Sequence, residues 1–551
     1  MNRNTEMHFS EMPMIQQKRS KFAMPSSLKT SFNTGSIVPI YVDSDILPGD
    51  TVQMDQAEII RMATPIYPIM DNLYADIYWF FVPHRLVMDN WAKFWGENDS
   101  PWTQQVEYEI PQIEAPTGGW TEGTIADYMG IPTKVDGFSI NALPMRSYCK
   151  IYNDFFRDEN LCSNVHIYTD ETTRTGKTGA EQGYDPVTDT EFGGTPLKAA
   201  KFHDYFTSAL PSPQKGPAVQ VPLGTTAPVY ASPTIRHDDL GVGITFNAAI
   251  PQGSHYVTAL GYTDATTSGL VASNQAATAT SYGELKPNNL ITDLSMATAA
   301  TISQLRTAFA IQKYYEQIGR TGSRYIEWIK GVFGVTSSDA RLQRAEYLGG
   351  QRIPLNIDQI LQTSSTDQVS PQGNTAGFSC TISQDSMFTK SFEEHGTLMG
   401  LVVVRTDHTY QQGLSKMWTR KKWVDFYNPF FANLSEQAIN NENIYLQGSS
   451  ADKEAFGYQE AWAEYRYKEN HVTGYMRSNA TGSLDVWHFA DDYNSQPYLS
   501  QDWIEETTEN VDRTIAVTSQ LTHQFIADFF FKAAYTRCMP VYSIPGLIDH
   551  V

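Results

Sequence analysis

The sequence predicts a mainly β fold with helical insertions: an antiparallel sandwich of the jelly-roll kind, elaborated by long inter-strand loops. Three observations carry that expectation. Runs of strand character stand at both ends of the 551-residue chain, so the first and last strands have to meet in one sheet if the domain is to close. Helical periodicity and a long polar stretch fill the middle. No regular strand–helix alternation appears, which weighs against a parallel α/β sheet.

The elements follow in chain order. Residues 1–35 read as an extended N-terminal arm of Met, Gln, Ser and Lys with little period, carrying Lys18, Arg19, Lys21 and Lys29. Ile37, Val38, Ile40, Tyr41 and Val42 read as a strand, Leu47-Pro-Gly-Asp50 as a turn, and Thr51 to Met62 as a second strand region. Asn72 to Val82 is a strong strand stopped by Pro83. Tyr74, Tyr78 and Phe80 fall on one side of it, with Leu73, Ile77, Trp79 and Phe81 on the other, so burial on both faces is expected. Asp89 to Trp95 reads as a short helix capped by Asp89 and closed by Gly96. Ser139 to Leu161 reads as a helix, with Met145, Tyr148, Tyr152, Phe155 and Phe156 at helical spacing. Residues 36–162 thus form the first part of the sandwich.

Residues 163–300 change character: Gly, Thr, Ala, Ser, Pro and Asp dominate and aromatics thin out. The stretch is too long for an ordinary loop. Short β-like pieces at 219–221 and 242–246 favour a folded surface insertion. Residues 301–551 are expected to hold helices and the remainder of the sandwich. Helical pattern runs from about Met296 through Ile302, Leu305, Phe309, Ile311, Tyr315 and Ile318, is interrupted at Gly319 and Gly322, and continues through Tyr325, Trp328, Ile329 and Phe333. Strands resume from residue 397 with the apolar run Leu398 to Val404, and Thr522 to Tyr542 reads as a long final strand.

Charged residues make up 18% and aromatics 12% of the chain, a balance that suits large contact surfaces and equally a large β protein. Net charge is −21, from 40 basic against 61 acidic residues. That excludes unaided condensation of a polyanion such as DNA. Cys149, Cys162, Cys380 and Cys538 are scattered without a Cys-x-x-Cys pair and are expected as reduced thiols. Met1 to Ser20 lacks the apolar segment of a secretory signal, and the apolar runs are too short to span a bilayer, so no membrane role is expected.

Catalytic and metal chemistry find little support. The twelve His form no His-Glu-x-x-His motif. Glu393-Glu394-His395 reads as a solvated loop and His84 as a turn residue at a strand end. Asp491-Asp492 and Glu505-Glu506 are sequence neighbours, which does not place two carboxyls across a cleft. No Gly-x-Ser-x-Gly elbow occurs. No catalytic residue, metal or cofactor is therefore expected, and the chain is not expected to be an enzyme. Two basic clusters are candidates for DNA contact: Lys18, Arg19, Lys21 and Lys29 on the arm, and Lys416, Arg420, Lys421 and Lys422 interleaved with Trp418 and Trp423. Cations beside stacking rings suit a single strand; a solvated or subunit-bridging face is the alternative. In the loop Phe426-Tyr-Asn-Pro-Phe-Phe431, Phe426, Tyr427, Phe430 and Phe431 are interface candidates, with ordinary core packing as the alternative.

Several blocks resemble the major capsid proteins of the Microviridae, specifically the gokushovirus branch. They are Arg19-Ser-Lys-Phe22 with Lys29-Thr-Ser-Phe-Asn33, Val38-Pro-Ile-Tyr-Val-Asp43, and Ala63-Thr-Pro-Ile-Tyr-Pro-Ile-Met-Asp-Asn-Leu-Tyr74. Phe80-Phe-Val-Pro-His-Arg-Leu-Val87 and Asp89-Asn-Trp91 follow. Later come Phe456-Gly-Tyr-Gln-Glu460, Ala463-Glu-Tyr-Arg-Tyr467, and His523-Gln-Phe525 through Arg537-Cys-Met-Pro540. The resemblance covers roughly residues 19–160 and 300–551 and is weak over 163–300. It implies an eight-stranded single jelly roll whose self-association, sixty copies strong, closes a T=1 icosahedral shell around a circular single-stranded DNA genome. It also implies a small basic DNA-binding virion protein, an internal scaffolding protein and a pilot protein as partners. The 163–300 insertion would form surface protrusions that meet a host receptor. The implied location is the virion, assembled in the bacterial host cytoplasm. A carbohydrate-binding or carbohydrate-cleaving sandwich, stacking its Tyr and Trp on sugars, is the competing reading.

Overall fold

The computed structural model describes residues 18–97, 107–217, 219, 302–322, 324–364, 366 and 371–542, with short strands between 229 and 292. Eight longer strands organise it: β1 (Ser20–Phe32), β2 (Val38–Ile46), β3 (Thr51–Met62), β4 (Leu73–Pro83), β5 (Glu346–Pro354), β6 (Thr381–Ser391), β7 (Gly396–Thr406) and β8 (Phe525–Arg537). They form two four-stranded antiparallel sheets, β1-β8-β3-β6 and β5-β4-β7-β2. The chain ends meet as the sequence requires: β1 pairs with β8 along its length, from Ser20 opposite Arg537 to Phe32 opposite Phe525.

Side-chain alternation explains the layering. In β3, Val52, Met54, Ile60 and Met62 point inward while Gln53, Ile59 and Arg61 point out. In β8, Phe525, Ala527, Phe529, Phe531, Ala533 and Tyr535 are buried between the sheets. The β1-β8-β3-β6 sheet therefore covers the core with one face and leaves the other open, the usual pattern of an antiparallel sheet. β4 and β7 differ, because both their faces are buried. Leu73, Ala75, Ile77, Trp79 and Phe81 enter the inter-sheet core, whereas Phe80 and Val82 enter a second core with Met399, Leu401 and Val403 of β7. Gly400 sits against the Trp79 indole, where a Cβ would lie 3.2 Å from the ring. That second core is closed by helix α1 (Leu143–Ile151), whose Tyr148 hydroxyl donates to the Ile37 carbonyl and accepts from the Leu197 amide.

Several expectations need correction. Residues 20–32, read as part of an extended arm, are a sheet-edge strand; their polar, Pro25-containing composition is that of an edge blunted against further pairing. The rest of the arm up to residue 17 lies outside the described residues. The short helix is Trp91–Phe94 with Asn90 at its N-cap; the Asp89 carboxylate instead accepts from Thr169 Oγ1. The helix read over 139–161 begins at Leu143 and passes at Tyr152 into a π-turn ending at Phe156. Helix α2 is Ile302–Thr321 and α3 is Tyr325–Phe333, so Gly319 lies inside a helix, and the break is at Gly322, whose φ is +93°. Strands resume at Glu346 rather than 397.

The chain divides into two compact units, residues 1–215 with 318–551, and residues 216–317. Residues 163–215 thus belong to the first unit rather than to the insertion. In the second unit, strand pairs are nested: Val229–Ala231 with Leu290–Thr292, Phe246–Ala248 with Leu285–Pro287, and Leu260–Tyr262 with Leu270–Ala272. Most of the expected strands at 219–221 and 242–246 lies outside the described residues.

Candidate interaction surfaces and a sealed charge cluster

The arm cations fall at and beside β1. Lys18 and Arg19 precede it, and Arg19 donates to the Gly49 carbonyl in the turn between β2 and β3. Lys21 and Lys29 point to the open sheet face, opposite Thr536 and Asp528, and Lys29 pairs with Asp528 at 3.5 Å. Register adds two cations that sequence reading missed. Lys532 stands opposite Pro25 and Arg61 opposite Ile526, both exposed. The open face thus carries Lys21, Lys29, Lys532 and Arg61 against Asp55 and Asp528.

The second basic cluster separates into two parts. Lys416 and Arg420 turn inward to Glu464, at 3.8 and 3.3 Å, and the Arg420 guanidinium lies 4.3 Å over the Tyr465 ring. Lys421 and Lys422 remain at the surface with Trp418 and Trp423. The backbone between them is pinned by Asp425, whose carboxylate accepts from the amides of Lys421 and Lys422 at 2.8 and 2.7 Å. The aromatic loop that follows is not core. Phe426, Tyr427 and Phe430 are exposed and Phe431 is half-buried. The Asn428 side chain accepts from the Phe430 amide, and Trp462 Nε1 donates to the Phe431 carbonyl at 2.8 Å.

The acidic pairs do meet another group, though each contributes one member. Asp491 and Glu506 converge on His408, just past the end of β7. Their carboxylates lie 2.8 Å from His408 Nδ1 and 3.0 Å from Nε2, and all three residues are buried. Asn510 donates to the other Asp491 oxygen and Thr406 to the other Glu506 oxygen. Desolvation opposes charge on the imidazole, but Asp491 and Glu506 outweigh it and push His408 up to about 10. Burial likewise opposes charge on Asp491, and His408 and Lys201 overcome it, holding the carboxyl well below its usual range. An imidazolium with both N–H groups committed to carboxylates has no lone pair with which to take a proton. The arrangement is a buried cross-link tying the end of β7 to the segment before β8.

Other titratable groups are also structural. Glu394 takes a bidentate contact from Arg85, and His395 stacks on Trp95 at 4.6 Å. His84 is packed, with Nε2 near the Ser44 and Thr397 hydroxyls, and burial pushes it down to about 4. Asp76, missed in the sequence, is clasped by Arg352 and Arg405, whose guanidinium groups lie over the Phe202 ring. Cavities of about 460 and 420 Å³ open elsewhere, lined in part by Arg157, Arg320 and Glu436 and by Lys416, Arg420 and Glu464. Among the described residues, no group of three or more His, Cys, Asp or Glu is placed to hold a metal, and no helix is long and apolar enough to cross a membrane. None of the four cysteines is in a disulfide.

A two-sheet sandwich with open aromatic and cationic surfaces fits an assembling subunit better than a cleft enzyme, and comparison with known proteins agrees. The family described as Capsid protein (F protein) matches residues 10–547. The chain belongs to that family. Among curated relatives it is 43% identical over 543 residues to the capsid protein VP1 of Spiroplasma virus 4, covering 96% of this chain and 95% of the relative. It is 43% identical over 548 residues to VP1 of Bdellovibrio phage phiMH2K, covering 99% and 98%. With VP1 of Chlamydia phage 1 it shares 37% over 591 residues, covering 98% and 97%. The matched spans run through residues 163–300 as well as through the blocks that carried the resemblance to Microviridae capsid proteins. Membership in this family makes the role of the chain structural, as a component of a virion shell.

Proposed function

We propose that this capsid protein folds as an eight-stranded single jelly roll and that sixty copies close a T=1 icosahedral shell around a circular single-stranded DNA genome. The observation that carries the fold is the strand order. β1-β8-β3-β6 against β5-β4-β7-β2 interleaves early and late strands in both sheets, as a ribbon of paired chain ends wrapped around a barrel does. The inserted unit, residues 216–317, forms surface protrusions and meets the host receptor. DNA contact falls to Lys18, Arg19, Lys21 and Lys29, joined by Lys532 and Arg61 on the open sheet face; Lys421 and Lys422 beside Trp418 and Trp423, the other candidates, are given to a subunit contact instead. With Lys416 and Arg420 turned to Glu464, those two serve the loop rather than the strand. A net charge of −21 leaves most of the genome's charge to a small basic virion protein. Scaffolding and pilot proteins complete the partners of a shell built in the bacterial cytoplasm.

The test is electron microscopy and nuclease digestion of particles from cells making the full chain with its phage genome. The expected result is uniform icosahedral particles of sixty subunits with DNA resistant to nuclease. A monomer or small oligomer that binds glycans would sink the proposal in favour of the carbohydrate-binding sandwich.

A further inference from the structure

The segment from Met417 to Leu434 presents an aromatic ridge that nothing else in the described chain covers. Trp418, Trp423, Phe426, Tyr427 and Phe430 are 70%, 72%, 51%, 48% and 94% exposed. At about 150–250 Å² per aromatic side chain, they leave on the order of 700 Å² of ring surface in water. The largest apolar patch on an ordinary monomer is about 300–600 Å². One side of a standard protein–protein interface is about 800 Å², which Met417, Val424 and Leu434, also exposed, help to reach.

The ridge is also held still. Asp425 fixes one turn through two backbone amides, Asn428 caps the next, and Trp462 grips the Phe431 carbonyl. The Tyr465 hydroxyl accepts from the Tyr427 amide at 3.1 Å, and Arg420 packs over Tyr465. Little ordering entropy is left for a partner to overcome.

Charge indicates what the partner is. Lys421 and Lys422 are exposed on the ridge, and the chain as a whole carries 61 acidic against 40 basic residues. A second copy of this chain offers an acidic surface in excess, so ridge and neighbour are complementary. A contact of the ridge with its own symmetry mate would instead set lysine pair against lysine pair. Resting on the shell reading above, we infer that the 417–434 ridge is a subunit–subunit contact. It docks head-to-tail on a different, acidic face of the next copy, the kind of contact that closes rings about an axis.

Two double variants test this, Trp423→Ala with Phe430→Ser and Lys421→Glu with Lys422→Glu. Both alter surface side chains, so the soluble chain should keep its circular dichroism and melting temperature. The aromatic variant should need at least a tenfold higher concentration to form particles. The charge variant should show a similar deficit at low salt that narrows as salt is raised. Acrylamide quenching provides a second readout, with Trp418→Phe and Trp423→Phe variants assigning the signal. Both indoles should be quenched in free subunits and protected in particles. Particles forming at the wild-type concentration, or Trp418 and Trp423 staying open to quencher in intact particles, would overturn the inference and leave the shell reading standing. So would loss of oligonucleotide binding with assembly intact, which would assign the ridge to nucleic acid. A wild-type chain that forms no particles overturns the shell reading and this inference together.

Discussion

Glu58 offers the sharpest test of how the sandwich is held. It points from β3 into the inter-sheet core and is 2% exposed. Gln56 donates to one of its oxygens at 3.0 Å and in turn accepts from Trp79 Nε1 at 3.2 Å, while the second Glu58 oxygen has no partner. Desolvation is the main cause that raises this carboxyl to about 7 from its ordinary 4.5, with hydrogen bonds from Ser383 and Gln56 opposing the rise. The folded state holds the proton more tightly than the unfolded chain. Its contribution is therefore fully present below pH 4.5 and is lost as pH rises through 7. The shift corresponds to roughly 3 kcal/mol at most, and about half that once solvent screening is allowed for. Glu58→Gln removes the charge and keeps an acceptor for Gln56. It should raise stability at pH 8 by about 1–2 kcal/mol and flatten the decline between pH 4.5 and 7. The assay is urea unfolding of the unassembled subunit at half-unit pH steps, followed by Trp fluorescence. A variant that is less stable than wild type at pH 8, or whose pH slope matches wild type, would refute the account.

The remaining predictions concern charge inside and outside the subunit. His408→Ala leaves two buried carboxylates facing each other and should cost about 3–5 kcal/mol, read as loss of soluble folded chain or a lower unfolding midpoint. In the wild type, the His408 share of stability should be complete below pH 6.5 and disappear as pH passes about 10. Asp76→Ala strips Arg352 and Arg405 of their shared carboxylate and should destabilise by about 2–4 kcal/mol in the same unfolding assay. Lys21→Glu with Lys532→Glu should weaken single-stranded DNA binding and reduce the magnitude of the log–log salt slope by at least about 0.7 per lost cation, with an unchanged slope counting against the open sheet face. Replacing residues 216–300 by a short Gly-Ser linker should spare particle formation and abolish host attachment, which a plaque and adsorption assay would read.

Strand periodicity explains what was legible beforehand. β3 spans Thr51 to Met62 because alternate residues there are strictly inward or outward, and β4 showed its double burial through apolar residues on both faces. β5 and β6 were not legible. β5 contains Gly349 and Gly350, and β6 sets its Thr, Ile and Phe among Ser, Gln, Asp and Lys, so neither shows a clean run of apolar alternation. Packing demands those residues all the same: a Cβ at Gly349 would lie 2.4 Å from the Met387 carbonyl oxygen. For the charge cluster, the acidic pairs were visible as pairs, but their shared target was not. His408 lies 83 residues from Asp491 and 98 from Glu506, and only the return of the chain toward β8 brings them together. The cationic open face was half visible for the same reason, since Lys532 joins Lys21 and Lys29 only through the pairing of β1 with β8.

Two parts of the subunit reverse the ordinary partition of side chains. An imidazolium and two carboxylates are sealed inside, where greasy residues of equal volume would be at least as stable. A rigid row of rings is left outside, where water penalises it. The buried ions are met by a fixed set of donors and acceptors, and so tie the end of β7 to the segment before β8. The rings gain their free energy only when another surface covers them. On the subunit contact proposed above, the ring surface left in water on the outer face becomes the driving force for association.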